Sequence, residues 1–231
     1  MNVQEATTRR LPDLKERHLP ENCRETINTI LKETYGYEQF RNLEIYDDLS
    51  KGKEKLCISQ GQLIENVILE AEKAWKGETQ VDNILLTAPT GSGKSLLFQL
   101  PAIYLGKEYN LLTIVVSPLK ALIVDQVESL QELGYMRVAY ASSDLSPEQK
   151  MEVYRQVREG EIDLFYLSPE LLLSYDIKHF VGERRIGLVV VDEAHTVTTW
   201  GKEFHVDYWF LGRYLTALKQ TLGYNFPLFA L

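Results

Sequence analysis

A glycine-rich loop between an apolar segment and a helix start is the feature that most constrains the fold of this chain. Residues 83–87 form a short apolar run without polar alternation, which is typical of a strand buried on both faces. The loop 88–93 follows, and residues 94–100 begin a helix. Gly91 and Gly93 allow successive backbone N–H groups to converge, and the helix N-terminus adds partial positive charge. The pattern therefore predicts a phosphate-binding loop.

The side chains of this loop suit a nucleoside triphosphate and its metal ion. Lys94 is expected to reach the β- and γ-phosphates, and the Ser95 hydroxyl to ligate Mg²⁺. The full pattern has glycine at the position of Ala88, a difference that removes no phosphate contact. The alternative is an ordinary glycine-rich turn before a helix. The predicted cofactor-binding residues of the loop are Thr90, Gly91, Ser92, Gly93, Lys94 and Ser95.

A second apolar segment ends in two adjacent carboxylates. Residues 186–191 again have the composition of a doubly covered strand, and Asp192 and Glu193 follow directly. Ligands bind at the carboxyl ends of strands in open α/β sheets. We expect Asp192 to hold Mg²⁺ through water and Glu193 to be the general base for the attacking water. A solvated acidic turn is the alternative, but together with the phosphate loop the pair predicts a nucleoside triphosphatase.

Apolar segments alternate with helical ones along the rest of the chain. Strands are predicted at 83–87, 111–117, 137–141, 162–167, 186–191 and 227–231. Helices are predicted over 21–35 and 63–75, after the capping sequence at Ser146, and around the leucines between 211 and 222. This alternation predicts an α/β fold with a central, mostly parallel sheet and helices on both faces.

Composition and charge narrow the functional classes. The net charge of −8 argues against a broad electropositive surface, so any nucleic-acid contact must be local. Cys23 and Cys57 are too few for a disulfide framework or a four-ligand zinc site, and they fit a reduced compartment. No run approaches 18 apolar residues, and the first residues lack the apolar core of a signal peptide. We expect a cytoplasmic protein with no membrane span and no zinc site.

The motifs resemble, in order along the chain, those of superfamily 2 helicases, and more narrowly those of RecQ-like DNA helicases. Residues 89–101 resemble motif I, residues 117–119 with 125–127 resemble motif Ia, and residues 192–195 are similar to motif II, the DEAH box. The resemblance implies a RecA-like P-loop NTPase domain that binds ATP and Mg²⁺. It also implies that hydrolysis is coupled to single-stranded or partly duplex DNA.

The same resemblance assigns roles on the nucleic-acid side. Ser117, Pro118 and Lys120 belong to the segment that touches the nucleic-acid backbone in that family, and His195 is implied to couple the ATP site to the strand-binding side. Residues 200–208 resemble the aromatic-rich loop of RecQ-like enzymes, although the family has Arg in place of His205 and Gln in place of Thr199. Base stacking is implied for two aromatic side chains of this loop, Trp200 and Phe204. The alternative is an apolar helical stripe, which Gly201 opposes.

An aromatic segment near the N-terminus resembles the adenine-recognition motif of the family. Residues 35–41 match it, and the resemblance implies that Tyr37 and Arg41 cover the adenine. The family continues with Gly-Gln one residue later, whereas here Gly-Gln stands at positions 61 and 62, after residues 42–60. If residues 42–60 are an insertion, Gln62 reads the adenine edge. If the match is accidental, Gln62 simply starts a helix.

The resemblance implies that this chain has two regions and that a second RecA-like domain works with it. Residues 1–60 form an N-terminal helical and adenine-recognition segment with the insertion 42–60, and residues 61–231 form the first RecA-like domain, which ends before motif III. A second RecA-like domain supplies an arginine finger in such motors, so this chain alone is expected to be nearly inactive. Two other functions stay open: a nucleotide-gated module that binds nucleic acid or protein without unwinding, and an RNA helicase.

Overall fold

A six-stranded parallel sheet organises the chain, as the sequence predicts. The computed structural model describes residues 19–46, 55–88, 91–174, 176–194 and 206–231. The strands are β1 (Asn42–Tyr46), β2 (Lys55–Ser59), β3 (Ile84–Leu85), β4 (Leu112–Val116), β5 (Val138–Ala141), β6 (Leu164–Leu167), β7 (Ile186–Val191) and β8 (Leu228–Ala230). The large sheet has the order β3-β8-β7-β4-β6-β5, and each neighbouring pair is parallel.

Helices cover both faces of this sheet. They are α1 (Glu25–Tyr35), α2 (Gln60–Trp75), α3 (Leu96–Tyr109), α4 (Lys120–Glu132), α5 (Pro147–Arg158), α6 (Pro169–Ser174), α7 (Lys178–Val181) and α8 (Val206–Leu222). Strand side chains alternate between two cores: Leu164 and Tyr166 pack with α1 to α4, whereas Phe165 and Leu167 pack with α5 to α8. None of the described helices has the length and apolarity needed to cross a membrane.

The parallel order brings three loops to one edge of the sheet. The glycine-rich loop leaves β3, Ser117 follows β4, and Asp192 follows β7. β4 and β7 are direct neighbours, and β8 separates β7 from β3. Because the carboxyl ends of parallel strands lie on the same side, the predicted phosphate and metal residues approach one another.

The segment that follows the adenine motif contains structure that the sequence reading did not predict. β1 and β2 pair in antiparallel fashion, with Leu43 opposite Ile58. Both of these side chains are buried, whereas Glu44 and Cys57 are exposed, so the strands alternate as a half-buried hairpin should. The charged residues 47–55 predict a solvated loop, with a DNA-contacting basic patch as the alternative. Of these residues only Lys55 is described, and it begins β2.

Two helix starts are capped by their own sequences. Ser146 and Gln149 form the predicted capping box at the start of α5. Ser59 and Gln62 form a second box, so α2 begins at Gln60, three residues before the predicted start at 63. Helix α1, which leads into the adenine segment, is held by Arg24, whose guanidinium lies 2.6 Å from a carboxylate oxygen of Glu65 and of Glu72 in α2.

Candidate nucleotide-binding site

The glycine-rich loop adopts the backbone that its glycines permit. Gly91 and Gly93 have φ values of 81° and 77°, a left-handed region that other residues rarely enter. The strand side is held by the Leu86 N–H, which donates to the Ala230 carbonyl of β8 at 2.9 Å. On the helix side, Leu96 N–H donates to the Gly93 carbonyl at 3.2 Å. The loop thus passes from the sheet directly into the N-terminus of α3.

Polar atoms of this loop fit a bound anion. Ser92 Oγ is buried and meets no hydrogen-bond partner within the described part of the chain. A buried hydroxyl without a partner is costly, so a phosphate oxygen is a suitable occupant of this position. Lys94 and Ser95 follow at the start of α3 and are half-buried. Thr90, the other predicted phosphate contact, lies outside the described residues.

The acidic pair stands at the end of β7, opposite this loop. The Asp192 N–H donates to the Val116 carbonyl at 2.9 Å, and the Ser117 hydroxyl lies 3.4 Å from Asp192 Oδ2. Glu193 has a φ of 53°, a left-handed backbone that costs an ordinary residue about 1 kcal/mol or more. The Ala194 N–H then donates to the Leu231 carbonyl at 2.7 Å. His195 lies outside the described residues.

The two motifs lie within electrostatic range of each other. Burial raises the pKa of the Asp192 carboxyl, and the neighbouring charge of Glu193 raises it further. The Lys94 ammonium acts in the opposite direction and lowers this pKa, so it lies within electrostatic range of Asp192. A divalent cation beside Asp192 would favour the ionised carboxylate in the same way.

A cavity of about 350 Å³ opens beside the phosphate loop. It lies between the segment after α1 and the N-termini of α2 and α3, and both predicted adenine contacts, Tyr37 and Arg41, line it. The Tyr35 and Tyr37 rings stack at 6.3 Å between centroids with a 20° interplanar angle, and Tyr37 is half exposed. The other lining residues are Tyr35, Gly36, Glu38, Gln39, Gln60, Gly93, Ser95, Leu96 and Gln99.

The two glutamines at the start of α2 occupy different environments. Gln62, predicted to read the adenine edge, uses its amide oxygen to accept from the Ser59 N–H at 3.0 Å, and it is not among the residues that line the cavity. Gln60, which the sequence reading missed, lines the cavity and is 2% exposed. The Ser-x-x-Gln pattern of residues 59–62 was the signal that could have separated them, because it assigns Gln62 to the capping box.

The residues predicted to contact nucleic acid differ in how exposed they are and in what they contact. Ser117 is 1% exposed, and its hydroxyl is directed at Asp192 rather than at the surface. Pro118 is half-buried, and Lys120, at the start of α4, is exposed and forms an ion pair with Asp144. The two aromatic residues predicted to stack on bases, Trp200 and Phe204, lie outside the described residues.

The fold and the site define a P-loop nucleotide-binding domain with a helicase-type acidic motif. The chain belongs to the DEAD/DEAH box helicase family, which it matches over residues 63–222. The RecA-like fold also agrees with solved structures. The DUF1998 helicase MrfA superposes with a TM-score of 0.56 at 22% identity, covering 91% of this chain and 29% of MrfA. Its DNA-bound form gives 0.53 at 20% identity, covering 93% and 27%.

Curated relatives within the family are RecQ helicases. The ATP-dependent DNA helicase RecQ of Synechocystis is 33% identical over 202 residues, which are 87% of this chain and 35% of that protein. RecQ of Bacillus subtilis is 32% identical over 180 residues, which are 78% and 25% of the two chains. The Q-like 5 helicase of Arabidopsis thaliana is 34% identical over 185 residues, or 80% and 17%. The chain therefore spans about a third or less of the length of these relatives.

Proposed function

We propose that this chain binds ATP–Mg²⁺ and forms the first RecA-like half of an ATP-dependent DNA helicase or translocase of the RecQ type. The observation that carries the proposal is the convergence of the phosphate loop and the acidic pair, in which Lys94 acts electrostatically on Asp192. A cavity of about 350 Å³, lined by Tyr37 and Arg41, adjoins the same loop. The similarity to RecQ helicases of bacteria and plants supports the DNA assignment over an RNA helicase or a binding module without unwinding.

Adenine binds in the cavity beside the loop. Tyr37 and Arg41 cover the base. The Gln60 amide accepts from the Arg41 N–H and donates to the Ser92 carbonyl, so it holds two segments that border the cavity. The sequence-based role of Gln62 at the adenine edge stays a prediction. Its capping bond to Ser59 would have to open before the amide could reach the base.

The phosphates and the metal ion lie between the loop and the acidic pair. The backbone N–H groups of residues 91–95 surround the phosphates, and Lys94 contacts the β- and γ-phosphates. Ser95 would hold Mg²⁺ through its hydroxyl and Asp192 would hold it through water, because hydroxyl, carboxylate and water oxygen atoms suit this cation. When bound, Mg²⁺ neutralises phosphate charge.

Glu193 accepts the proton of the attacking water as general base. Its left-handed backbone directs it away from the run of β7, directly after the metal-binding Asp192. The Ser117 hydroxyl contacts the Asp192 carboxylate at 3.4 Å and helps to position it. His195, just beyond Glu193, is proposed to carry the state of the ATP site to the DNA-binding side.

DNA contacts are local rather than spread over the surface, because the chain carries a net charge of −8. We assign them to the loop after β4, where Pro118 and Lys120 are accessible, and to the aromatic residues Trp200 and Phe204. A second RecA-like domain completes the ATP site with an arginine finger, so this chain alone turns ATP over slowly.

Nucleotide binding tests the proposal directly. Titration of a fluorescent ATP analogue in Mg²⁺ is expected to show saturable binding to the 231-residue chain. Replacing Lys94 by Ala removes a charge-assisted contact and should weaken binding at least about tenfold. Lys107→Ala is the matched control, because Lys107 is an exposed lysine in the last turn of α3, and this variant should bind ATP like the wild type. Unchanged binding in Lys94→Ala would overturn the nucleotide assignment.

A further inference from the structure

A network of side-chain hydrogen bonds leads from Tyr35, in the adenine cavity, to Ser95, the predicted metal ligand. The Tyr35 hydroxyl donates to Gln99 Oε1 at 2.8 Å, and Gln99 Nε2 donates to Gln126 Oε1 at 2.7 Å. Gln126 Nε2 then donates to Ser95 Oγ at 2.8 Å. The residues come from three helices, since Tyr35 ends α1, Gln99 lies in α3 and Gln126 lies in α4. The bonds therefore connect elements that are far apart in the sequence.

The middle of this hydrogen-bond network is buried between two phenols. Gln99 is 5% exposed, and its Nε2 also donates to the Tyr166 hydroxyl at 3.2 Å. Burial raises the pKa of both phenols, Tyr35 and Tyr166, so they stay protonated at neutral pH. Because two amide NH₂ groups cannot face one another, the orientation of Gln99 sets that of Gln126. In this arrangement the NH₂ group of Gln126 points at Ser95.

The last bond determines how the Ser95 hydroxyl is presented. A serine hydroxyl has one hydrogen and two acceptor lone pairs. The donation from Gln126 occupies one lone pair and leaves the other for a metal ion, while the hydroxyl hydrogen remains for a phosphate oxygen or water. Without this donor, the hydroxyl can rotate and offer its hydrogen to the cation. A rotating ligand binds a divalent cation less well than a fixed one.

We propose that Gln126 is a positioning residue for the metal site, which holds Ser95 Oγ with a lone pair directed at Mg²⁺. The proposal rests on the proposed function, in which Ser95 is a ligand of the ion that accompanies ATP. Gln126 contacts neither the ion nor the nucleotide. It acts through Ser95 and is itself held by Gln99.

The experiment separates metal-dependent from metal-independent nucleotide binding. The affinity of the 231-residue chain for a fluorescent ATP analogue is measured with saturating Mg²⁺ and again in EDTA. Gln126→Leu keeps the size of the side chain but cannot donate. We expect it to lose about fivefold in affinity with Mg²⁺, the effect of one hydrogen bond, and to match the wild type within about twofold in EDTA. Gln131→Leu, an exposed position on the same helix, is the control and should change neither value.

A double-mutant cycle identifies the partner. If Gln126 acts through Ser95, then Ser95→Ala loses the Mg²⁺-dependent gain, and adding Gln126→Leu causes no further loss. Gln126→Met serves as a second variant if the leucine variant does not fold, as judged by its circular dichroism melting curve.

Each outcome decides between the claims. A wild type that binds equally in Mg²⁺ and EDTA contradicts the metal assignment of the proposed function. If Mg²⁺ increases the nucleotide affinity of the wild type and Gln126→Leu keeps the full increase, the positioning role is overturned and the proposed function is left intact. An equal loss in Mg²⁺ and EDTA also overturns it, because a merely structural role affects both conditions. Additive losses in the cycle would show that Gln126 acts elsewhere.

Discussion

Gln60 Nε2 lies 3.1 Å from the backbone carbonyl oxygen of Ser92, and this contact joins the start of α2 to the phosphate loop. The other end of the same amide accepts from the Arg41 N–H at 3.2 Å. A Cβ atom at Gly93 would lie 2.8 Å from Gln60 Nε2, so the loop approaches this amide as closely as a glycine allows. One buried side chain thus holds the adenine segment and the phosphate loop together.

We therefore predict that substitutions at Gln60 and Gln62 have different effects, the first on ATP binding and the second on the free energy of unfolding. Gln60→Ala should weaken ATP binding about tenfold, because it removes the hydrogen bonds that hold the adenine segment against the phosphate loop. Gln62→Ala should leave ATP binding unchanged and lower the free energy of unfolding by about 1 kcal/mol, since it loses half of a capping box. Nucleotide titration and urea unfolding measure the two effects. The reverse pattern would return the adenine role to Gln62.

Removal of the general base should separate binding from hydrolysis. In a chain long enough to turn over ATP, Glu193→Gln is expected to keep nucleotide affinity within about twofold and to lower the turnover rate by about 10² to 10⁴. Glutamine retains the shape but cannot accept a proton from water. Steady-state ATPase and nucleotide titration on the same preparation test this. A variant that hydrolyses ATP at the wild-type rate would exclude Glu193 as the base.

Much of this site could be predicted because its motifs are short and local. The phosphate loop needs glycine where φ is positive, and the structure has φ of 81° and 77° at Gly91 and Gly93. The strand that carries the acidic pair, β7, is buried on both faces, as its apolar run predicts. The same prediction is wrong for residues 83–87, because β3 lies at the edge of the sheet and Leu85 is 61% exposed. The capping box at Ser146 was equally local and is confirmed.

The contacts that could not be predicted join distant segments. Gln126 and Ser95 are hydrogen-bonded although they are 31 residues apart, and no local sequence pattern pairs them. The hairpin β1–β2 is not predicted from the sequence, because each strand has only five residues, too few for a clear alternation. Gln60 was missed because the capping box at Ser59 was overlooked, although the pattern was present in the sequence.

A buried ionic cluster around Asp163, the residue before β6, allows a prediction about packing. Asp163 is fully buried and accepts from Arg184 at 2.8 Å and from Tyr135 at 3.0 Å. A Cβ atom at Gly106 would overlap the Asp163 carboxyl group. Gly106→Ala should therefore lower the free energy of unfolding by about 3 kcal/mol, because the buried aspartate cannot move without breaking its bonds.

The control for this prediction is a glycine with free space around it. Nothing lies within 4 Å of a Cβ atom built at Gly212 in α8, and its backbone is helical. Gly212→Ala should raise the free energy of unfolding by up to about 1 kcal/mol through helix propensity. Urea unfolding of both variants gives the comparison. Equal effects in the two variants would contradict the packing described around Asp163.

The anchor of α1 should make stability depend on pH in the acid range. Burial opposes ionisation of Glu72, but hydrogen bonds from Arg24 and Tyr109 outweigh it, so the pKa of Glu72 is lowered from its ordinary value of 4.5. A lowered carboxyl pKa contributes stability that is present above the unfolded-state pKa and is lost as the pH falls through the folded-state pKa. The contribution of this pair should therefore decline progressively as the pH falls below about 4.5.

Glu72→Gln tests this expectation. At pH 7 the variant should be less stable than the wild type by about 2 kcal/mol, a value reduced for the partial exposure of Arg24. The difference should shrink as the pH is lowered through the acid range, and urea unfolding at several pH values follows it. A difference that stays constant down to pH 3 would show that the charge of Glu72 is not what holds Arg24.

The most direct test of the account is ATP turnover with and without single-stranded DNA, measured on this chain and on a longer chain that carries a second RecA-like domain. We predict that the longer chain turns ATP over faster by about 10³ or more, because the second domain supplies the arginine finger, and that DNA stimulates it. This chain should bind nucleotide and hydrolyse it slowly. If the longer chain binds ATP through Lys94 but its turnover is neither faster nor stimulated by DNA, the helicase assignment is contradicted, and a nucleotide-gated binding protein is the better description.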